Sequence, residues 1–124
     1  MYTVELYQSF NVRQGLKSPV RGLGGLPPLI SEDGFDVTLR IGIKFSDSQL
    51  TDKGWFVDTD AVEKELEKCA QYLSSNTWTQ LFEFRPTFEL VARWVYNNII
   101  KSYPQLAYVE LENTTIAVRT RYQG

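Results

Sequence analysis

The strongest hydrophobic pattern in the chain runs from Phe35 to Phe45, where Phe35, Val37, Leu39, Ile41, Ile43 and Phe45 alternate with Asp36, Thr38, Arg40, Gly42 and Lys44. Successive side chains of a strand point to opposite faces, so this alternation predicts one long strand with a single buried face. A shorter alternation at Tyr2, Val4 and Leu6 predicts a first strand. After the turn-forming Asp52-Lys53-Gly54, the stretch "KGWFVD" reads as a hairpin return. The period then changes. Between Ala61 and Leu73, the residues Val62, Leu66, Cys69 and Leu73 fall on one helical stripe, with Glu63, Lys64, Glu67 and Lys68 outside it. Phe88, Val91, Val95 and Ile99 repeat that spacing in a second helix, which should end near Ser102, ahead of Pro104. "LAYVELE", a turn at Asn113-Thr114 and "TIAVRTRY" predict a closing antiparallel pair.

The resulting order, ββααββ, predicts an α+β fold in which a four-stranded antiparallel sheet takes both helices on one face. The other face then carries Thr38, Arg40, Lys44, Glu110 and Glu112. Such a face either lines a solvated cavity made by self-association or is simply exposed, as one-sided antiparallel sheets often are. Asn11 to Gly34, which includes "RGLGGLPPLISEDG", reads as irregular and is longer than the roughly 12 to 15 residues of an ordinary loop. Its glycines make no phosphate-binding fingerprint, because "GLGGL" has neither the strand-to-helix context nor the lysine of a P-loop.

Composition narrows the chemistry. A chain of 124 residues, 43% of them hydrophobic and 14% aromatic, has enough apolar material for one core, so residues 1–124 are expected to form a single domain. A formal charge of −2 and scattered basic residues argue against nucleic acid or an anionic membrane surface as partner. No run approaches the roughly 18 apolar residues of a membrane span, and "MYTVELYQSF" alternates instead of presenting a leader. A cytoplasmic protein is expected, and the single cysteine, Cys69, suits a reducing compartment. Cys69 lies on an apolar helix stripe, where a thiol behaves as an inert hydrophobe. Histidine is absent altogether, which removes the commonest zinc ligand and the usual general base near neutral pH.

At "RPTFELVARWVY" the sequence carries a family's mark. Pro86-Thr87-x-Glu89 followed by Ala92-Arg93-Trp94 resembles the second-helix signature of the 6-pyruvoyl- and 6-carboxytetrahydropterin synthases. "GWFVDTDAV" is similar to the segment leading into that family's first helix, and "VELENTTIAV" to its closing hairpin, with Glu112 where the family keeps a pterin-anchoring glutamate. The resemblance spans residues 2 to 122, is strongest from Gly54 onward, and implies the tunnelling fold: an oligomeric barrel closed by trimers, with two barrels stacked into a homo-hexamer, a dimer of trimers.

The resemblance also shows what is missing. The family's zinc histidines fall near Asn11 and at Ser31 and Asp33, its loop cysteine has no counterpart, and its Leu-Asp-His triplet reads Leu73-Ser74-Ser75. Zinc and proton transfer carry the family's reaction, so losing both removes the reaction itself, and no catalytic residue, metal site or cofactor is expected. Recognition remains. A pterin presents a ring N–H beside an exocyclic amine, two donors that one carboxylate can accept together. Glu112 is the candidate anchor, and the resemblance places Pro86, Thr87 and Glu89 at the border of the pocket. Thr87 and Glu89 also suit a helix start, as N-cap and first-turn acid, and Trp55, Phe56 and Trp94 suit the core. The function expected is a tetrahydropterin synthase homologue without zinc that keeps a pocket for a pterin or purine-like ligand. The alternatives are a metal-free pterin lyase or aldolase-type enzyme, with Lys44 as participant, and a non-catalytic structural or regulatory hexamer.

Overall fold

The computed structural model describes residues 1–16 and 34–124. Four strands, β1 (Tyr2–Val12), β2 (Phe35–Phe45), β3 (Leu106–Asn113) and β4 (Val118–Gln123), form one antiparallel sheet in the order β1-β2-β3-β4. The helices are α1 (Thr59–Ser74), a single turn α2 (Trp78–Leu81) and α3 (Phe88–Ile99). α1 packs on β1, while α3 packs on β3 and β4. The α+β layout with the helices on one face is therefore the one the periodicity predicts.

β2 is central, and its alternation does what it promises: Phe35, Val37, Leu39, Ile41, Ile43 and Phe45 are all buried under the helices. Facing them are Val62, Leu66 and Leu73 of α1 and Val91, Val95 and Ile99 of α3, all in the same core. Cys69 packs at the edge of that core, and burial pushes its thiol up to about 11. It is a packing group, as its stripe position predicts.

Several boundaries differ from expectation. β1 runs on to Val12, so Asn11 pairs with Asp36 and Val12 with Phe35, and the irregular stretch begins only at Arg13. Gln8, on the helix-side face of β1, interrupts the apolar alternation that would have revealed this length. No strand forms at "KGWFVD": β2 already has β1 on one edge and β3 on the other. Thr51 to Gly54 instead closes a turn, with the Gly54 N–H donating to the Thr51 carbonyl at 2.9 Å and Gly54 at φ 85°. Phe56 from this segment packs against Phe45 with ring centroids 4.7 Å apart, but Trp55 is 48% exposed and is not a core residue. β4 starts at Val118, because Thr114 to Ala117 form the turn. α2 is an addition that periodicity cannot detect in four residues. It is held by Trp78, whose buried indole N–H donates to the Leu73 carbonyl at 2.8 Å.

Candidate functional site

The face opposite the helices is less solvated than its sequence suggests. Register places Glu110 between Arg40 on β2 and Arg121 on β4. Arg40 Nη1 donates to Glu110 Oε2 at 2.6 Å, and Arg121 donates to Oε1 through Nη2 at 3.0 Å and Nε at 3.2 Å. Glu110 is only 3% exposed, so this carboxylate is buried and neutralised by two guanidiniums. Arg121 also lies 3.8 Å over the Tyr108 ring, whose hydroxyl donates to Glu5 on β1. Burial, with that carboxylate beside it, pushes the Tyr108 phenol up to about 12. The ring fits because its neighbour on β2 is Gly42, where a Cβ would run into it.

Glu112 stands two residues along the same face in a different setting. Its cross-strand partners are Thr38 and Arg119. The ion pair to Arg119 spans 3.4 Å, with the arginine side chain 62% exposed and the glutamate 20%. Pairs of this kind contribute little and exchange readily with water, so of the two β3 glutamates on this face Glu112 is the one that another donor could claim.

The start of α3 lies on the other side of the sheet. Thr87 is the N-cap, accepting from the Leu90 N–H at 3.2 Å with φ −70° and ψ 160°. Glu89 is an exposed first-turn acid, placed where the helix dipole favours negative charge. Pro86 is buried, and its carbonyl accepts from Gln14 Nε2 at 2.9 Å. Phe88 then anchors the turn against Phe35 and Trp78, at ring distances of 5.8 and 5.3 Å. Within one chain, Glu112 and Thr87-Glu89 thus sit on opposite sides of the sheet.

A cavity of about 290 Å³ opens at the same end of the sheet, lined by Asn11, Val12, Arg13 and Ser74 to Thr77. It brings Asn11, the position the resemblance matches to a zinc histidine, beside Ser74 and Ser75, which it matches to the proton-transfer pair. The Ser74 hydroxyl donates to the Ala70 carbonyl and the Ser75 hydroxyl to the Tyr72 carbonyl, both at 2.6 Å. Among the described residues neither hydroxyl is hydrogen-bonded to a base that could activate it. Asn11 Nδ2 donates to Asp36 Oδ1 at 3.4 Å. Ser31 and Asp33 lie outside the described residues. Among the described residues, no group of three His, Cys, Asp or Glu side chains could hold a metal ion. Sequence reasoning missed this cavity, because its two halves, Asn11 to Arg13 and Ser74 to Thr77, lie far apart in the sequence and no local pattern joins them.

Comparison with known proteins agrees with this geometry. The family model for 6-pyruvoyl tetrahydropterin synthase matches residues 34–123. The structure of Caenorhabditis elegans 6-pyruvoyl tetrahydropterin synthase superposes with a TM-score of 0.67 at 16% identity, over 99% of this chain and 95% of that one. At that identity the likeness carries the fold alone. No curated protein matches the chain.

Proposed function

The chain belongs to the 6-pyruvoyl tetrahydropterin synthase family, and from that premise we propose that it binds a pterin or purine-like heterocycle without the zinc and proton-transfer chemistry of the family's catalysts. The observation that carries this reading is the contrast between the two acids on β3. Glu110 has both oxygens committed to arginines, whereas Glu112 is held by one exposed partner. A carboxylate so placed can accept the two parallel donors of a pterin edge at the cost of a weak surface pair.

The residues around Asn11 do not fit zinc. Amides, hydroxyls and a guanidinium stand where imidazole donors would be needed, and the chain has no histidine to supply one. Recognition and its orientation are the chemistry left to these side chains.

A hexamer of stacked trimers completes the proposal. β1 and β4 are the open edges of the sheet, and closure against further copies would remove them. Because Glu112 and Thr87-Glu89 lie on opposite sides of one sheet, a pocket bordered by both needs more than one copy. The same reading places the protein in the cytoplasm, and no helix among the described residues is long and apolar enough to cross a membrane. The alternative reading, a metal-free pterin lyase or aldolase with Lys44 as participant, would draw that lysine from another copy, since within one chain Lys44 lies six residues along β2 from Thr38, the partner of Glu112, a distance of roughly 20 Å.

Calorimetric titration with pterin, neopterin and guanine tests the reading. Wild-type protein should bind, and Glu112→Gln should weaken binding at least about tenfold, because an amide offers one acceptor and one donor to an edge with two donors. Equal affinity in the variant would remove Glu112 as the anchor.

A further inference from the structure

We propose that the β3–β4 turn holds the Glu112 carboxylate in its ligand-accepting orientation, with Thr115 as the positioning residue. The inference rests on the pterin-binding reading above and says what lets Glu112 take two donors at once. Glu112 is the last but one residue of β3, and the turn Thr114 to Ala117 begins two residues beyond it. Strand ends fray unless something ties them down. The ion pair of Glu112 does not do so, because its arginine is mostly exposed.

The turn is tied instead to the first residues of β2. The β2–β3 ladder ends at Val37 and Asn113, one residue short of Asp36. Beyond that point the Asp36 carbonyl accepts from the Thr114 N–H at 3.0 Å and from the Thr114 hydroxyl at 3.2 Å. The Asp36 N–H donates to Thr115 Oγ1 at 3.1 Å. Both backbone groups of Asp36 are thus engaged by the turn. Asn113, one of the two buried polar residues among those described, accepts from the Thr115 N–H with its Oδ1 at 3.1 Å, so Thr115 is held from both sides. The backbone bears the mark of this constraint. Ala117 sits at φ 55°, a left-handed conformation that a non-glycine residue keeps only where its surroundings over-determine it.

The consequence for recognition is geometric. A carboxylate that accepts two parallel donors must present both oxygens in the plane of the donor edge, whereas a single hydrogen bond tolerates a broad range of angles. A site group displaced by a fraction of an ångström therefore loses its second contact before its first. The clamp on the turn sets a preference for a ring that carries an exocyclic amine beside its ring N–H, over the same ring without the amine. Thr115 acts through Asp36 and Asn113, not by contact with the ligand.

The test is calorimetric titration of wild type, Thr115→Val and Thr115→Ser with pterin and with 2-deaminopterin, which keeps the ring N–H and lacks the amine. Valine keeps the shape of threonine but removes the acceptor of the Asp36 N–H, and serine retains that acceptor. Wild type should prefer pterin by about tenfold, the worth of one hydrogen bond to a charged group. Thr115→Val should weaken pterin binding and cut the preference to about twofold, while Thr115→Ser should keep it. A general loss of order would weaken both rings alike, so an unchanged preference in Thr115→Val would overturn the clamp. A preference lost equally in both variants would overturn it too. The reading beneath it fails differently: if wild type binds neither ring, the pterin reading falls and takes this assignment with it. Binding of both rings without preference removes only the two-donor geometry that Thr115 is assigned to hold.

Discussion

Glu110 and Glu112 are the same side chain two positions apart on one strand face, yet their neighbours give them different work. Glu110 sits between Arg40 and Arg121 at 3% exposure, and removing its charge strands two guanidiniums over a desolvated patch. Breaking a buried pair typically costs about 3 to 5 kcal/mol, and the partial exposure of Arg121 puts Glu110→Gln somewhat below that range, at about 2 to 3 kcal/mol. Glu112→Gln loses one exposed pair and should cost under about 1 kcal/mol. Urea unfolding of the two variants measures both, and comparable losses would contradict the division of roles drawn here. The alternation of β3 placed both acids on one face, but alternation reports a face and not its neighbours. Only the cross-strand register, which sets Arg40 and Arg121 opposite Glu110, makes one buried and the other available.

Elements were legible where burial repeats along the chain and illegible where tertiary contacts hold them. β2, α1 and α3 bury regular stripes, and their periods predict them. β1 hides half its length behind Gln8, and α2 exists because Trp78 finds a buried partner in the Leu73 carbonyl. The residues before Phe88 show the local side of the same point. Thr87→Ala removes the oxygen that accepts from the Leu90 N–H, and loss of such a cap should lower stability by about 1 kcal/mol, while Thr87→Ser should be nearly neutral. Thermal or urea unfolding checks the pair. A neutral Thr87→Ala would mean that tertiary packing of Phe88, not the cap, holds the helix start.

For the whole molecule, the sheet poses the problem that assembly would solve. Among the described residues no further strand pairs with the outer edges of β1 and β4, and the far face of the sheet concentrates the charged network around Glu110. Light scattering on purified protein should therefore report a hexamer, and a stable monomer at micromolar concentration would remove both the barrel and any pocket shared between copies. The candidate site was legible only through the family resemblance, which singled out Glu112, Thr87 and Glu89. The cavity at Arg13 was not legible, since it exists only once the end of β1 meets the end of α1. The most direct test of recognition without zinc is calorimetric titration with pterin after exhaustive dialysis against a chelator, with zinc in the same sample measured by elemental analysis. The account predicts pterin binding of unchanged affinity in protein free of zinc. Binding lost with the chelator and restored by added zinc would contradict it.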